Sequence, residues 1–486
     1  MRYVSNRKDW RVWQRLGEQG GVWVEDERKE VEGMAEALVT HKIAVEEVKR
    51  ATDPEIAGKI AAWARSLDSR RARLAILADA SARDPGGEHC ITVGETAFDE
   101  PDRVATLVNT PTGTLDLDMR ALIPADPEHL ITKVTGVPYE GAKPCPEWQA
   151  LLRDWLRLSQ DGPPDEELIA YVQALCGYFL LGKCDIQGFW IFTGEGRNGK
   201  STFMNIIRRV MGTYADVVDP SLILNSKDGG TPTHMSKVAT LKGRRLAVFN
   251  EPAKASLIND GVFKQISSQD DIQAKWMGGN PFTFRPTHTC VMPMNGEPRI
   301  IDDSDGFWRR LVIIRWVHQI PDSKVDRGLE DRILRAEGSA ILHWMLDGYA
   351  MYRQGWLDKE REPTCVKARR DDLRTRSDEA GRFIRDTCDR VVFTDAKTPG
   401  PGGIPTGCTP RALLALMLEE WCKGEGLDFP QMKGRLMGWL KSKGYDAKAV
   451  NVGKKATNCW LGLQPKGDTD IFAHAHGRWQ AQRGAE

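Results

Sequence analysis

Residues Gly188 to Gly212 read GFWIFTGEGRNGKSTFMNIIRRVMG, and three local patterns meet in them. Gly188 to Phe192 is an apolar run without alternation, the mark of a strand buried on both faces. Ser201 to Met211 follows helical spacing. Between them lies Gly194-x4-Gly199-Lys200-Ser201, the phosphate-binding pattern in its strand-to-helix setting. Glycines let backbone N–H groups turn inward around phosphate oxygens, and the helix N-terminus adds positive potential. Lys200 then reaches the β and γ phosphates while the Ser201 hydroxyl takes Mg²⁺. Gly194, Glu195, Gly196, Arg197, Asn198, Gly199, Lys200, Ser201 and Thr202 are therefore the candidate nucleotide-binding residues, with ATP and Mg²⁺ as expected cofactors. The competing reading is a Gly-rich turn carrying Lys-Ser by chance. The loop is silent about what nucleotide binding drives.

Three further apolar runs follow, RRLAVFNE, THTCVMPMN and RRLVIIRWV. With a helical segment between the first two strands, residues of about 183–320 read as an α/β domain built on a parallel sheet. RRLAVFNE ends in Asn250-Glu251. A phosphate-loop hydrolase needs an acid at a neighbouring strand end, so Glu251 fits the residue that polarises water and helps hold Mg²⁺. Asn250 stands where an Asp is common and can only hydrogen-bond. Asn295 closes the third strand, where its amide could hold the water or the γ-phosphate. Arg309 and Arg310 follow the turn Asp305-Gly306. They read either as an arginine finger supplied to a neighbouring subunit, with Arg310 preferred because it directly precedes the strand, or as an Arg pair binding Asp302, Asp303 and Asp305.

The rest of the chain bounds these readings. At 486 residues it is long enough for about three domains. Its 68 basic and 68 acidic side chains cancel, which argues against coating nucleic acid by bulk charge but leaves room for a local track. No apolar run is long enough to span a membrane, and MRYVSNRKDWRVW lacks a signal-peptide core, so a cytoplasmic location is expected. The ten cysteines are scattered singly and read as buried free thiols, neither a disulfide framework nor a zinc site. Residues 1–95 mix short helical patterns such as VEGMAEALVTHKIAVEEVKRA with polar turns and carry no assignable motif. NTPTGTLDL, Asn109 to Leu117, reads as a turn and a short strand. EWQALLRDWLRL and EELIAYVQALCGYFLLG read as helices, the second capped by Asp165. Helices continue over 321–376, and TPGPGGIPTG, Thr398 to Gly407, reads as an exposed loop.

Within 377–486, the stretch Gln431 to Lys466 carries eight Lys or Arg against one acid, Asp446. A helix from Gln431 to Ser442, a strand, a turn at Gly453-Lys454-Lys455 and another strand form a winged-helix-like pattern. Leu436 and Leu440 face its core while Lys433, Lys441, Lys454 and Lys455 are candidate DNA contacts. A solvated basic face is the alternative.

In their order the motifs NTPTGTLDL, CPEW, GEGRNGKST, LKGRRLAVFNE, FKQISSQDDIQAKW, FTFRPTHTCVMPMNGEP and DGFWRRLVIIRW resemble superfamily 3 helicases, in particular the ATPase half of phage and plasmid primase-helicases. The resemblance covers Phe98 to Ile320. It implies an AAA+-like core behind a helical collar at 96–182, and a homo-hexameric ring moving 3′ to 5′ on single-stranded or forked DNA. It also implies catalytic roles for Lys200, Glu251, Asn250, Asn295 and Arg309 or Arg310, and a separate primase or polymerase as partner. Fewer than a hundred residues precede the match, so a primase domain in front is not expected. Asp116 and Asp118 of LDLD could pass for a primase carboxylate pair but coincide with the upstream strand motif. The segment around FKQISSQDDIQAKW resembles a DNA-contacting hairpin; its strand-like runs flank Gly278-Gly279 and put Lys275 near the tip, which could equally be an ordinary surface hairpin. Lys264 falls on a matching position and could contact nucleotide or DNA. Two other functions fit a phosphate loop: a replication initiator or loader that assembles without unwinding, and a phosphotransferase, for which an Arg-rich lid is missing.

Overall fold

The computed structural model describes residues 2–4, 9–27, 29–37, 53–67, 77, 92–93, 98–224, 232–251, 258–277, 279–298, 300, 304–321, 323, 325–394 and 397–484. The chain divides into two compact units, Met1–Asp371 and Asp372–Glu486.

The first unit opens with a sheet that the sequence reading did not anticipate. β1 (Arg2–Val4), β2 (Asp9–Leu16) and β3 (Gly20–Glu25) form an antiparallel set, helices α1 (Glu30–Ala37) and α2 (Pro54–Leu67) follow, and β4 (Thr92–Val93) adds to the edge beside β1. The signal was there: Val12, Val22 and Trp23 are buried, and Trp13 meets Trp23 edge-on at 5.7 Å across the pair. Of the helical stretch expected to continue α1, residues 38–51 lie outside the described residues, as do Cys90, Gly278, Asp302 and Asp303. After the short α3 (Pro101–Val104), NTPTGTLDL is more than a turn and a strand. Its first residues end β5 (Leu107–Thr110), which pairs with β6 (Gly113–Asp116) and then β7 (Ala121–Ile123). The side-chain amide of Asn109 donates to the Gly21 carbonyl at 3.0 Å and ties this sheet to the first.

Helices α4 (Pro146–Trp155) and α5 (Glu166–Tyr178) come next, the latter capped by Asp165, which accepts the Leu168 N–H at 3.0 Å. The core proper consists of β8 (Phe189–Gly194), α6 (Lys200–Met211), β9 (Ala215–Val218), α7 (Pro232–Ala239), β10 (Leu246–Phe249), α8 (Asp260–Ile266), a hairpin of β11 (Ile272–Lys275) and β12 (Pro281–Phe284), β13 (Thr289–Asn295), α9 (Asp305–Trp308) and β14 (Leu311–Arg315). Its sheet is parallel throughout, in the order β14-β8-β13-β10-β9. All carboxyl ends therefore lie along one edge, where α/β sheets build their sites.

The long α10 (Leu329–Arg353) returns along α5, and α11 (Thr364–Ser377) follows. α5 and α10 cross at two glycines: a Cβ on Gly177 would stand 1.9 Å from the Tyr349 nitrogen, and one on Gly348 2.0 Å from the Gln173 oxygen. Glu337 of α10 accepts the N–H groups of Glu147 and Trp148 at 3.1 and 2.9 Å, capping α4. The helices before and after the sheet thus share one core with it. Among the described residues no helix is long and apolar enough to cross a membrane.

The second unit runs α12 (Glu379–Thr387), β15 (Cys388–Arg390), β16 (Cys408–Pro410), α13 (Arg411–Glu425), α14 (Phe429–Ser442), β17 (Ala447–Val452), β18 (Lys455–Leu461), β19 (Leu463–Pro465) and α15 (Asp470–Gly484). Its sheet is ordered β16-β18-β17, and Leu436 and Leu440 of α14 are buried in the core of the unit. TPGPGGIPTG is exposed only in part: Thr398, Pro399, Gly402 and Gly403 are exposed, while Ile404, Pro405 and Gly407 are buried. Ile404 is fully buried, and a Pro399-Pro405 bridge closes the segment, because apolar burial outweighs its turn-rich composition. The nine cysteines described are free, and Cys365 alone among them is exposed.

The α5–α10 crossing yields a test. Gly177→Ala pushes a methyl group into backbone, so thermal unfolding should show a loss of about 1–3 kcal/mol. Gly58→Ala on α2, where nothing lies within 4 Å, should leave stability unchanged or slightly raised.

Candidate nucleotide site and nucleic-acid surfaces

The loop between β8 and α6 has the backbone its sequence demands. Gly196, Arg197 and Gly199 all have positive φ, at 89°, 47° and 80°. A Cβ at Gly194 would meet the Asn198 amide at 2.1 Å, and one at Gly199 would meet the Trp155 ring of α4 at 2.7 Å, so neither position admits a side chain. Asn198, buried, donates to the Trp316 carbonyl at 3.3 Å, while the Ile320 N–H donates to the Arg197 carbonyl at 2.7 Å. The segment after β14 therefore holds the loop from outside.

Lys200 is 4% exposed. Its ammonium donates to Asn198 Oδ1 at 2.9 Å, the Gly194 carbonyl at 3.2 Å and Asn295 Oδ1 at 3.5 Å. Burial pulls its pKa down to about 8, against the opposing pull of Glu251. The parallel register sets Asn295 directly beside Gly194. Glu251, just past β10, accepts the Asn295 N–H at 2.7 Å and its side-chain amide at 3.0 Å. Lys200, Asn295 and Glu251 thus form one chain of hydrogen bonds across three strand ends. Asn250 is exposed beside them and gives its N–H to the Val218 carbonyl at 3.1 Å.

These residues line a cavity of 200 Å³ together with Ser201, Asn205 and Arg208. Asn205 and Arg208 were not singled out from sequence, although their spacing from Ser201, four and seven residues, places all three on one face of α6. Ser201 is exposed at the helix start, beside Thr202, and Glu195 and Arg197 are exposed. The set fits a triphosphate with a divalent cation: Ser201 and Glu251 could hold Mg²⁺. Among the described residues no group of three or more His, Cys, Asp or Glu could hold a metal alone, so further ligands would come from phosphate and water.

The two arginines lie elsewhere. They precede β14, at the sheet edge opposite the loop, about 17 Å away along a five-residue strand. Arg310, preferred on sequence, is 8% exposed and turns back to donate to the Gly306 carbonyl at 2.6 Å. Arg309 is the exposed member and reaches Gln187 at 3.5 Å. Lys264 donates to the Ser304 hydroxyl at 3.0 Å and pairs with Asp260 at 3.5 Å. The β11–β12 hairpin forms as expected, with Lys275 exposed and Met277 beyond it 93% exposed. Asp116 caps its own turn and Asp118 accepts the Tyr349 hydroxyl at 2.8 Å, so both carboxylates serve local structure.

In the second unit Lys433, Lys441, Lys454 and Lys455 are all exposed, Lys454 in the β17–β18 turn and Lys455 at the start of β18. Arg435 pairs instead with Glu379 at 2.5 Å, and Lys466 donates to the Arg385 carbonyl at 2.6 Å. Lys455 also donates to the Arg483 carbonyl at 3.2 Å, while Lys448 on β17 is exposed, so the basic track runs over α14, β17 and the turn after it.

Residues 1–157 match a family described as D5 N terminal like, and residues 192–310 match a family of unknown function, DUF5906. The chain is 28% identical over 208 residues to a protein of Acanthamoeba polyphaga mimivirus named as a candidate helicase, covering 43% of this chain and 21% of that protein. It is 29% identical over 191 residues to a protein of African swine fever virus named as a candidate primase, covering 38% and 19%. A candidate helicase of Invertebrate iridescent virus 6 is 26% identical over 243 residues, covering 48% and 24%. The chain thus spans about a fifth to a quarter of the length of these three relatives. A solved structure, the apo C terminal region of NrS-1, shares 11% identity with a TM-score of 0.44, covering 80% of this chain and 89% of that one. The chain is thus similar over part of its length to proteins of large DNA viruses that are named as candidate helicases and primases.

A phosphate held by this buried ammonium would be bound with an affinity sensitive to pH. Below about 8 Lys200 is charged and ready for phosphate; above it, binding must take up a proton. Isothermal titration should show ATP affinity falling between pH 7.5 and 9, by up to about tenfold per pH unit. The fall should flatten in Lys200→Arg.

Proposed function

We propose that the chain is an ATP-dependent DNA helicase of the superfamily 3 type. In this reading its subunits form a hexameric ring that moves 3′ to 5′ along single-stranded DNA at a fork, in the replication of a phage, plasmid or other mobile element. The observation that carries the reading is the continuous Lys200-Asn295-Glu251 contact across three parallel strand ends beside a complete phosphate loop. The relatives named as candidate helicases and primases of large DNA viruses support it.

ATP is the substrate of the site and Mg²⁺ its cofactor, which neutralises charge building on the phosphate oxygens. Lys200 binds the β and γ phosphates. Glu251 orients and polarises the attacking water, for which it must release one of its two bonds to Asn295. Asn295 touches both residues and so links phosphate binding to the release of the carboxylate. Arg309 is the better finger. A group at the opposite sheet edge cannot reach its own subunit's phosphates, and Arg310 is committed to the Gly306 carbonyl. On a neighbouring subunit Arg309 would stabilise transferring charge, which is why the reading requires a ring.

Strand displacement on duplexes with a 3′ or a 5′ single-stranded tail tests the activity. Unwinding from the 3′ tail alone, absent in Lys200→Ala, is the expected result. Glu251→Gln should retain ATP binding and lose hydrolysis by about 10²-fold or more. DNA-stimulated hydrolysis without unwinding would instead favour an initiator or loader. In mixtures with active Lys200 subunits, Arg309→Ala should depress hydrolysis and Arg310→Ala should lower stability; the reverse pattern reassigns the finger.

The second unit is proposed to grip DNA backbone through its basic turn. Lys454→Ala with Lys455→Ala should reduce the slope of log affinity against log salt by about 1–2. An unchanged slope removes the turn from the interface.

A further inference from the structure

At the sheet edge opposite the phosphate loop, where β9 and β10 begin, a cleft of 530 Å³ opens between the N-terminal sheet and the core. Its floor is the ion pair of Lys133 and Asp99, 3.3 Å apart, with side chains 15% and 9% exposed. Arg11, Lys242 and Arg244 surround that pair. The Lys242 ammonium donates to the Phe98 carbonyl at 3.0 Å, Arg244 pairs with Asp216 at 3.0 Å, and Arg11 lies over the Phe98 ring at 4.9 Å. All three are near enough to repel the Lys133 charge, which burial above all, and then these neighbours, hold below the usual lysine range despite Asp99.

Four cations thus stand around one buried carboxylate, Asp99, and two of them, Arg11 and Arg244, are also paired with Glu25 and Asp216 at 3.6 and 3.0 Å. The other acids of the cleft stand at its rim, where water and salt screen them: Glu25 and Asp216 have side chains 41% and 38% exposed, and Glu27 is exposed. Like charges gathered in a weakly screened floor cost free energy that a bound anion recovers. A bound metal cation would add to the repulsion. The walls are aromatic, from Trp23, Phe98 and Trp276. Trp276 directly follows Lys275 on the hairpin, so a strand that touches the hairpin can reach the cleft.

We infer that this cleft binds one phosphate-bearing nucleotide unit, with its phosphate on Lys133, Lys242 and Arg244 and its base against the Trp276 wall. Phosphate on cations and base on an aromatic face is the shared chemistry of single-strand and nucleotide sites. The site is separate from the phosphate loop by the length of the sheet, and it gives the N-terminal sheet a role as one wall of a binding cleft. It does not depend on the helicase reading, because it takes no part in hydrolysis.

The test uses the full chain carrying Lys200→Ala, so that the phosphate loop contributes no nucleotide binding. Two probes are titrated, a fluorescein-labelled thymidylate oligonucleotide and dTTP. Lys242→Glu with Arg244→Glu should weaken at least one of them by about tenfold or more, and the milder Lys242→Gln by about threefold. A comparison pair on the exposed surface, Lys143→Glu with Arg153→Glu, should change neither probe by more than about twofold. Loss confined to the oligonucleotide identifies the unit as part of a strand, and loss confined to dTTP identifies a free nucleotide. Unchanged binding of both probes by a Lys242→Gln protein with normal thermal unfolding overturns the inference. So does an equal loss in the comparison pair, which would trace the effect to long-range charge. ATP hydrolysis by the same cleft variants with Lys200 intact should remain, which separates failure here from failure of the helicase reading.

Discussion

The ammonium of Lys200 is buried at the end of the central sheet, and much of the first unit can be understood as what that burial requires. A charge out of water needs acceptors on several sides. Here they are the Gly194 carbonyl at the end of its own strand, the Asn198 side chain inside the loop, and Asn295 from the adjacent strand. Each acceptor carries a further constraint. Asn198 is held by the Trp316 carbonyl, Gly199 is pressed by Trp155, and Asn295 is held by Glu251. The helix before the sheet, the strand beside it and the segment after it therefore all converge on one side chain.

The parallel sheet separates two kinds of work. Along the edge where its strands end lie the phosphate loop, Glu251 and Asn295; along the edge where they begin lie Arg309, Arg310, the β11–β12 hairpin and the cationic cleft. Since a strand of five residues is about 17 Å long, groups at one edge cannot serve chemistry at the other within one subunit. That distance separates Arg309 and the β11–β12 hairpin from the phosphate loop within one copy of the chain.

The second unit achieves its fold by different means. Its core is a cluster around Trp421, Trp439, Trp460 and Trp479, and the buried Ile404 draws a Pro- and Gly-rich segment into it. The exposed lysines of α14 and the β17–β18 turn remain outside that core. Charge not consumed internally is what a phosphate backbone can use.

What the sequence by itself determined is whatever depends on neighbours in the chain. The phosphate loop, the four principal strands of the core, the Asp165 cap, the β11–β12 hairpin and the wing-like turn all follow from local spacing, because periodicity and turn chemistry act over a few residues. The tertiary structure alone decided what depends on residues far apart. It joined Lys200, Asn295 and Glu251, turned Arg310 inward and left Arg309 exposed, and consumed Arg435 in an ion pair. It also paired β1, β2 and β3 into a sheet, gathered Lys133, Asp99, Lys242 and Arg244 in one cleft, and buried Ile404. Register between strands and the packing of one layer on another set these outcomes, and neither quantity is written in any single segment.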